Sequence, residues 1–218
     1  TYSLIHDDLP CMDDDDFRRG KPTCHKIFGE AIALLAGDAL LTHAFLVISK
    51  NREIKGIDAN AVLDVIERIS KASGPLGMVS GQVVDILSEG KVIDEKLLYF
   101  MDDKKTAELI KGSLWAGARL AGADEKELER MDNFGEKIGL IFQITDDILD
   151  VEGDEKAIGK PVGSDIKNKK NTFINVFGIK QSKDIIGSLA QEAKKLLLDF
   201  KNNEFLIKLV DFLINRTH

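Results

Sequence analysis

Two short runs of carboxylates are the residues in this chain best placed to do chemistry. One reads Asp7-Asp8-Leu9-Pro10-Cys11-Met12-Asp13 and continues through Asp14, Asp15 and Asp16; the other reads Asp146-Asp147-Ile148-Leu149-Asp150. Each closes an apolar, helix-like run, Tyr2 to Ile5 in the first case and Ile138 to Ile144 in the second. Carboxylates at the C-terminal end of a helix oppose its dipole, so something must offset the cost. Asp146 and Asp150, four residues apart, share one helical face, where like charges repel. A shared divalent cation turns that repulsion into coordination. Carboxylate oxygens suit Mg²⁺, which also keeps water and phosphate oxygens in its shell. Asp7 and Asp13 are too far apart for one turn of regular helix, and Pro10 between them predicts a kink or a helix end. An EF-hand loop begun at Asp13 would need glycine where Arg18 stands, and no Glu-x-x-His pair offers a di-iron site. Solvated acidic loops are the bland alternative. It is the better reading for Asp14 to Asp16 alone, and a poor one for two such clusters.

Cations flank both clusters. Arg18 and Arg19 follow the first directly, with Lys21 close by; Lys160, Lys167, Lys169 and Lys170 follow the second; Lys104 and Lys105 stand between them. Acid, metal and base side by side is what a polyphosphate requires, because metals bridge carboxylates to phosphate oxygens while guanidinium forks clamp the remainder. No Walker-type glycine loop is present, so metal and side chains would hold the phosphates.

The elements that must position these groups read as helices. The apolar residues are mostly Leu, Ile and Ala, and the four prolines and two tyrosines are few for a sheet protein. Ala59 to Lys71 carries Val62, Val65, Ile66 and Ile69 on one face, with Asp58 as N-cap. Leu97 to Ala123 reads as one long helix bent near Gly112 or Gly117. Helices are also expected from Asp124 or Glu125 to Leu149, from Ser182 to Phe200 and from Asn203 to Asn215. Ala31 to Ile48 is about long enough to span a bilayer, but Gly37, Asp38 and His43 interrupt it, and it reads as a buried core helix rather than a membrane span. Loops fall at Arg18 to Cys24, Asn51 to Ile57, Ser88 to Asp94 and Gly153 to Asn171, the last a candidate lid. No hairpin signal of the Asn-Gly or Asp-Gly kind occurs. The expected fold is therefore all-α, a single domain over residues 1–218. The net charge of −7 disfavours a general nucleic-acid binder. Two cysteines, Cys11 and Cys24, cannot scaffold a chain of this length, and no signal peptide is visible, so the expected compartment is the reduced cytoplasm. The first residue is Thr1, and an N-terminal segment is expected to precede it.

These segments resemble the trans-isoprenyl diphosphate synthases, most closely the bacterial farnesyl diphosphate synthases. SLIHDDLPCMDDDDFRRGKPTCH resembles the first aspartate-rich motif of that family and GLIFQITDDILD the second. GMVSGQVVDI and the Lys105-Thr106 pair match further segments in order. The resemblance implies an isoprenoid-synthase-type helical bundle around a deep central cavity, usually a homodimer, with three Mg²⁺ ions held between the two motifs. It implies Asp7, Asp13 and Asp146 as metal ligands, with Asp8, Asp147 and Asp150 supporting them. Arg18, Lys105, Gln143 and Lys160 would bind an allylic diphosphate, Thr106 and Lys170 would line the same site, and Arg19 would bind isopentenyl diphosphate. Tyr2 and Ser3, about one turn before Asp7, would set product length, with farnesyl diphosphate expected. His6, His25 and His43 are read as structural. Three departures stand against the family pattern: its N-terminal Gly-Gly-Lys-Arg segment is absent, Ala107 replaces a glycine, and Ile174 replaces a proline. A longer-chain synthase, a terpene cyclase and a non-catalytic partner subunit are the alternatives. Cyclases and silent subunits tend to lose aspartates from one cluster, and both clusters are full here.

Overall fold

The structure, a computed structural model, describes residues 1–152 and 170–216. It is helical almost throughout: α1 (Tyr2–Asp7), α2 (Cys24–Phe28), α3 (Glu30–Ser49), α4 (Ala59–Ser73), α5 (Met78–Ser88), α6 (Glu95–Asp102), α7 (Glu108–Leu120), α8 (Glu125–Glu152), α9 (Phe173–Leu196) and α10 (Glu204–Asn215). The Asp58 cap falls where expected, and a second cap, not read from sequence, stands at Asp94. Asp58 caps α4 by accepting the Asn60 amide at 3.2 Å, and Asp94 caps α6 through the Leu97 amide at 2.8 Å. The predicted 203–215 helix matches α10 to within a residue.

α8 is the central element. It packs against α7 on one side and α9 on the other, with α10 also against it. Its buried Phe134, Ile138, Ile141 and Ile144 recur at three- and four-residue spacing, so one continuous stripe faces the core beside Leu98, Phe173, Leu197 and Val210. The Tyr99 and Phe173 rings meet edge-to-face at 5.0 Å, tying α6 to the start of α9.

Four expectations are corrected. The helix read over Leu97 to Ala123 does not bend at Gly112 or Gly117. It widens into a π-helical turn at Asp103–Ala107, between α6 and α7. Tight backbone approaches frame that turn: a Cβ at Gly81 of α5 would lie 2.2 Å from the Lys105 amide nitrogen, and one at Gly139 of α8 would lie 2.4 Å from the Ala107 Cβ. The turn is thus wedged between two helices that lack side chains where they touch it. The helix expected from Ser182 starts earlier, at Phe173, and is broken at Gly178. Thr172 caps it, accepting the Asn175 amide. The Arg18 to Cys24 loop contains a small antiparallel pair, β1 (Phe17–Arg18) and β2 (Lys21–Pro22). Positive φ at Arg19 and Gly20 turns the chain between them, the type I′ preference served here by an Arg-Gly pair. Finally, α3 is not a buried core helix. It is long and apolar enough to cross a bilayer, yet only 11% of its most apolar window is buried. Ala33 and Gly37 are its buried residues, and Leu34, Leu35, Leu46 and Val47 are exposed.

Candidate active site

The first cluster is assembled by a helix end and a folded-back loop. α1 stops at Asp7, and the loop through Pro10 returns so that the Asp13 amide donates to the Asp7 carbonyl at 2.9 Å. Residues six apart in sequence are thereby brought together as no continuous helix would do. The Gln82 side-chain amide donates to Asp7 Oδ1 at 2.5 Å, and Lys170 Nζ donates to Asp13 Oδ1 at 2.8 Å. Burial raises the Asp7 carboxyl above its ordinary pKa, and the neighbouring Asp13 charge adds to this, while Lys105, Lys170 and Arg18 pull the other way. Asp8 points elsewhere. It is buried, and Arg18 holds its Oδ1 through Nε at 2.7 Å and Nη2 at 2.6 Å.

The second cluster lies in the last two turns of α8. Asp146 is half-exposed, and Arg216 donates to it. The Arg216 guanidinium also donates to the Phe142 carbonyl at 3.0 Å and lies 4.2 Å above the Phe142 ring. Asp147 is buried and works inward: it accepts Gln143 Nε2 at 2.9 Å and the Phe173 amide at 2.8 Å. A carboxylate thus satisfies the first free N–H of α9, where the helix dipole favours negative charge. The Thr106 hydroxyl donates to Gln143 Oε1 at 2.8 Å, which links the π-helical turn to α8. Asp150 is buried among the helices and away from the cavity lining.

Lys105 lies near the first cluster, within reach of the charges of Asp7 and Asp13. Its ammonium meets Asp85 Oδ2 at 2.5 Å. Burial alone would lower its pKa, but the charges of Asp85 and Asp7 outweigh that and hold it above its ordinary value, so it stays cationic.

Asp7, Asp13, Asp146, Lys105, Gln143 and Lys170 all line one cavity of about 1100 Å³. Much of its remaining wall is apolar, including Val83, Ile86, Leu109 and Leu114. Tyr2 and Ser3 line it from α1, with the Tyr2 hydroxyl 3.9 Å from the Met78 sulfur. The space therefore combines groups suited to charge with a wall suited to hydrocarbon.

Of the residues singled out from sequence, Thr106, Arg18 and Asp147 also line this cavity. Arg19 is exposed at the hairpin tip and is not part of the lining, and Asp8 and Asp150 lie behind it. Lys160 and the rest of the candidate lid up to Lys169 lie outside the described residues. Sequence reasoning missed the roles of Gln82, Asp85 and Arg216. The first two left a readable signal, an amide and a carboxylate three apart on the largely apolar α5; Arg216 left none.

The donor set fits Mg²⁺. Asp7, Asp13 and Asp146 each offer carboxylate oxygens to the cavity, and the ion pairs of Lys170 with Asp13 and of Arg216 with Asp146 show two of them attracting positive charge.

Helices around a cavity lined by acidic and basic groups and an apolar wall define a class of proteins that bind a charged head and a hydrocarbon tail together. The polyprenyl synthetase family model matches residues 1–202, and the chain belongs to that family. It is 48% identical over 197 residues to a farnesyl diphosphate synthase of Geobacillus stearothermophilus, a match covering 90% of this chain and 66% of the relative. It is 43% identical to a geranylgeranyl diphosphate synthase of Cyanophora paradoxa, over 100% of this chain and 73% of the relative. A crystal structure of a geranyltransferase from Helicobacter pylori, complexed with magnesium and isoprenyl diphosphate, superposes with a TM-score of 0.84 at 36% identity, covering 98% of this chain and 69% of that one. The chain thus spans about two thirds to three quarters of the length of these proteins.

Proposed function

We propose that this protein is a Mg²⁺-dependent prenyltransferase that condenses an allylic diphosphate with isopentenyl diphosphate and releases diphosphate, with farnesyl diphosphate as the main product. The observation that carries this reading is the single cavity in which both aspartate clusters, Lys105 and an apolar wall meet. Asp7, Asp13 and Asp146 would hold three Mg²⁺ ions, which, when bound, supply positive charge to the departing diphosphate. Asp8 would support them by fixing Arg18, and Asp147 and Asp150 by anchoring the end of α8.

Lys105 binds the allylic diphosphate and, kept cationic by Asp85, offsets negative charge as the C–O bond ionises. Gln143 and Thr106, already bonded to each other, orient the same group, and Lys170 reaches it from beside Asp13. Arg18 and Lys160 bind the allylic diphosphate as well, and Arg19 binds isopentenyl diphosphate. The apolar wall excludes water from the allylic cation while the isopentenyl double bond attacks, and the new cation then loses a proton to the released diphosphate. Tyr2 and Ser3 set where the growing chain stops. The family's geranylgeranyl synthases make a longer-chain product the second reading.

Residues 1–218 act as one domain. The exposed apolar face of α3 favours a homodimer, and the free thiols of Cys11 and Cys24 fit a cytoplasmic setting. Incubation of the protein with dimethylallyl or geranyl diphosphate and labelled isopentenyl diphosphate tests the reaction: fifteen-carbon product formed only with Mg²⁺ is expected. No condensation with any allylic primer would remove the proposal.

A further inference from the structure

We infer that Asp14, Asp16 and His25 form a second metal site, separate from the diphosphate cavity, that takes a borderline divalent transition ion such as Zn²⁺. One ligand atom from each of the three lies within 4.8 Å of the others. None of the three lines the cavity, and none belongs to the carboxylate set assigned to Mg²⁺.

His25 supplies the decisive chemistry. Its side chain is only 3% exposed, and its Nε2 has no hydrogen-bond partner among the described residues. A buried imidazole nitrogen left unpaired is costly. The hydrogen bonds around the ring fix which nitrogen carries the proton. The Thr23 hydroxyl donates to the Asp15 carbonyl at 2.7 Å, so its oxygen is left to accept from His25 Nδ1 at 3.1 Å. With the proton on Nδ1, Nε2 carries a lone pair. That lone pair is 4.0 Å from Asp14 Oδ1, too long for a hydrogen bond and close to what two ligands of one ion need. Ligands each about 2 Å from a tetrahedral ion are roughly 3.5 Å apart. Asp14 and Asp16, 62% and 60% exposed, can turn to close the gap. Lys26 now sits 2.6 Å from Asp16 Oδ1 and would give way, its own side chain being 43% exposed. The Thr23 hydroxyl behind the ring is an acceptor for the other ring N–H, the role that outer partners of metal-bound histidines fill. Imidazole with two carboxylates favours Zn²⁺ over Mg²⁺. Bound there, the ion would close the segment from Asp14 to His25, which carries the β1–β2 hairpin with Arg18 and Arg19.

Co²⁺ is the probe, because imidazole ligation in a four-coordinate site gives it strong visible absorption that an oxygen-only octahedral site does not. The chelator-stripped protein is titrated with Co²⁺ in excess Mg²⁺, then with Zn²⁺. A single tight Co²⁺ equivalent with strong absorption, displaced by Zn²⁺, is expected. The surface double variant Asp14→Asn/Asp16→Asn should weaken it at least ~10-fold. His25→Gln, checked for native helicity, should abolish the band, and Asp7→Asn should retain it. Absence of the band, its persistence in the double variant, or its loss in Asp7→Asn would overturn the site. Prenyl transfer without the band, or the band without prenyl transfer, separates this inference from the proposed activity.

Discussion

At the residue scale, some charged groups near the cavity are aimed into it and others hold neighbours in place. Asp7, Asp13 and Asp146 face the space. Asp8 is occupied by Arg18, Asp147 by Gln143 and the Phe173 amide, and Asp85 by Lys105. Asp85→Ala should therefore lower turnover without removing any metal ligand. It frees a buried ammonium from its hydrogen-bonded partner, a change that costs about 3–5 kcal/mol when the pair is buried. Loss of stability in a urea titration, with a fall in kcat, is the check; a variant as stable and active as the parent would remove Asp85's role. Tyr2 lies five residues before Asp7, about 7 Å along the helix axis, and faces the apolar space. Tyr2→Ala should shift product towards longer chains, read by chromatography of dephosphorylated products. The pairing of Asp7 with Asp13 was legible only as a break at Pro10, because the sequence shows no sign of the amide–carbonyl contact that folds the loop back. The stabilising partners Gln82 and Arg216 come from 75 and 70 residues away, and no local pattern announces such contacts.

At the element scale, the π-helical turn at Asp103–Ala107 is what puts Lys105 and Thr106 between α5 and α8. It exists where two glycines permit close backbone approach. Gly81→Ala would force a Cβ against the Lys105 main chain, where no flexible side chain can yield. Overpacking of this sort costs about 1–3 kcal/mol, and here the displacement falls on Lys105 itself. A lower thermal midpoint together with a raised KM for the allylic substrate is expected; a raised KM without destabilisation would point to a local shift alone. Long amphipathic helices with caps, α4 and α10 above all, were readable from periodicity. The π turn was not, because Gly112 and Gly117 offered more obvious places to bend and the deciding glycines lie on other helices. α3 misled for a related reason. Apolar periodicity says that a face avoids water, and leaves open what covers it.

At the scale of the whole molecule, an ion network binds α4, α7 and α8. Arg68 donates to Glu108 at 2.6 Å and to Asp132 at 2.6 Å, while Lys104 and Lys111 also meet Glu108. Burial alone would raise the Glu108 pKa, yet its hydrogen bond to Arg68, with Lys111 and Lys104 beside it, brings it down to about 2 from 4.5. A carboxyl lowered on folding stabilises the protein above its unfolded pKa and loses that contribution as pH falls towards its folded one. The contribution, on the order of 3 kcal/mol at most, should be fully present at neutral pH and fade between about pH 4.5 and 2. Urea midpoints across that range should fall less steeply in Glu108→Gln than in the parent; equal slopes would show that other carboxylates govern acid unfolding. The helical class and the cavity's charged residues were legible because charge clusters and helix periods are local. The size of the cavity and the outward apolar face of α3 are properties of assembly, and residues far apart in sequence set them.

The measurement that bears most directly on carboxylates holding Mg²⁺ against a diphosphate is the Mg²⁺ dependence of condensation in the parent and in Asp7→Ala. The rate should fall at least ~100-fold in the variant, with the half-saturating Mg²⁺ concentration raised and helicity unchanged. An Asp7→Ala protein with full rate and the parent's Mg²⁺ dependence would contradict it.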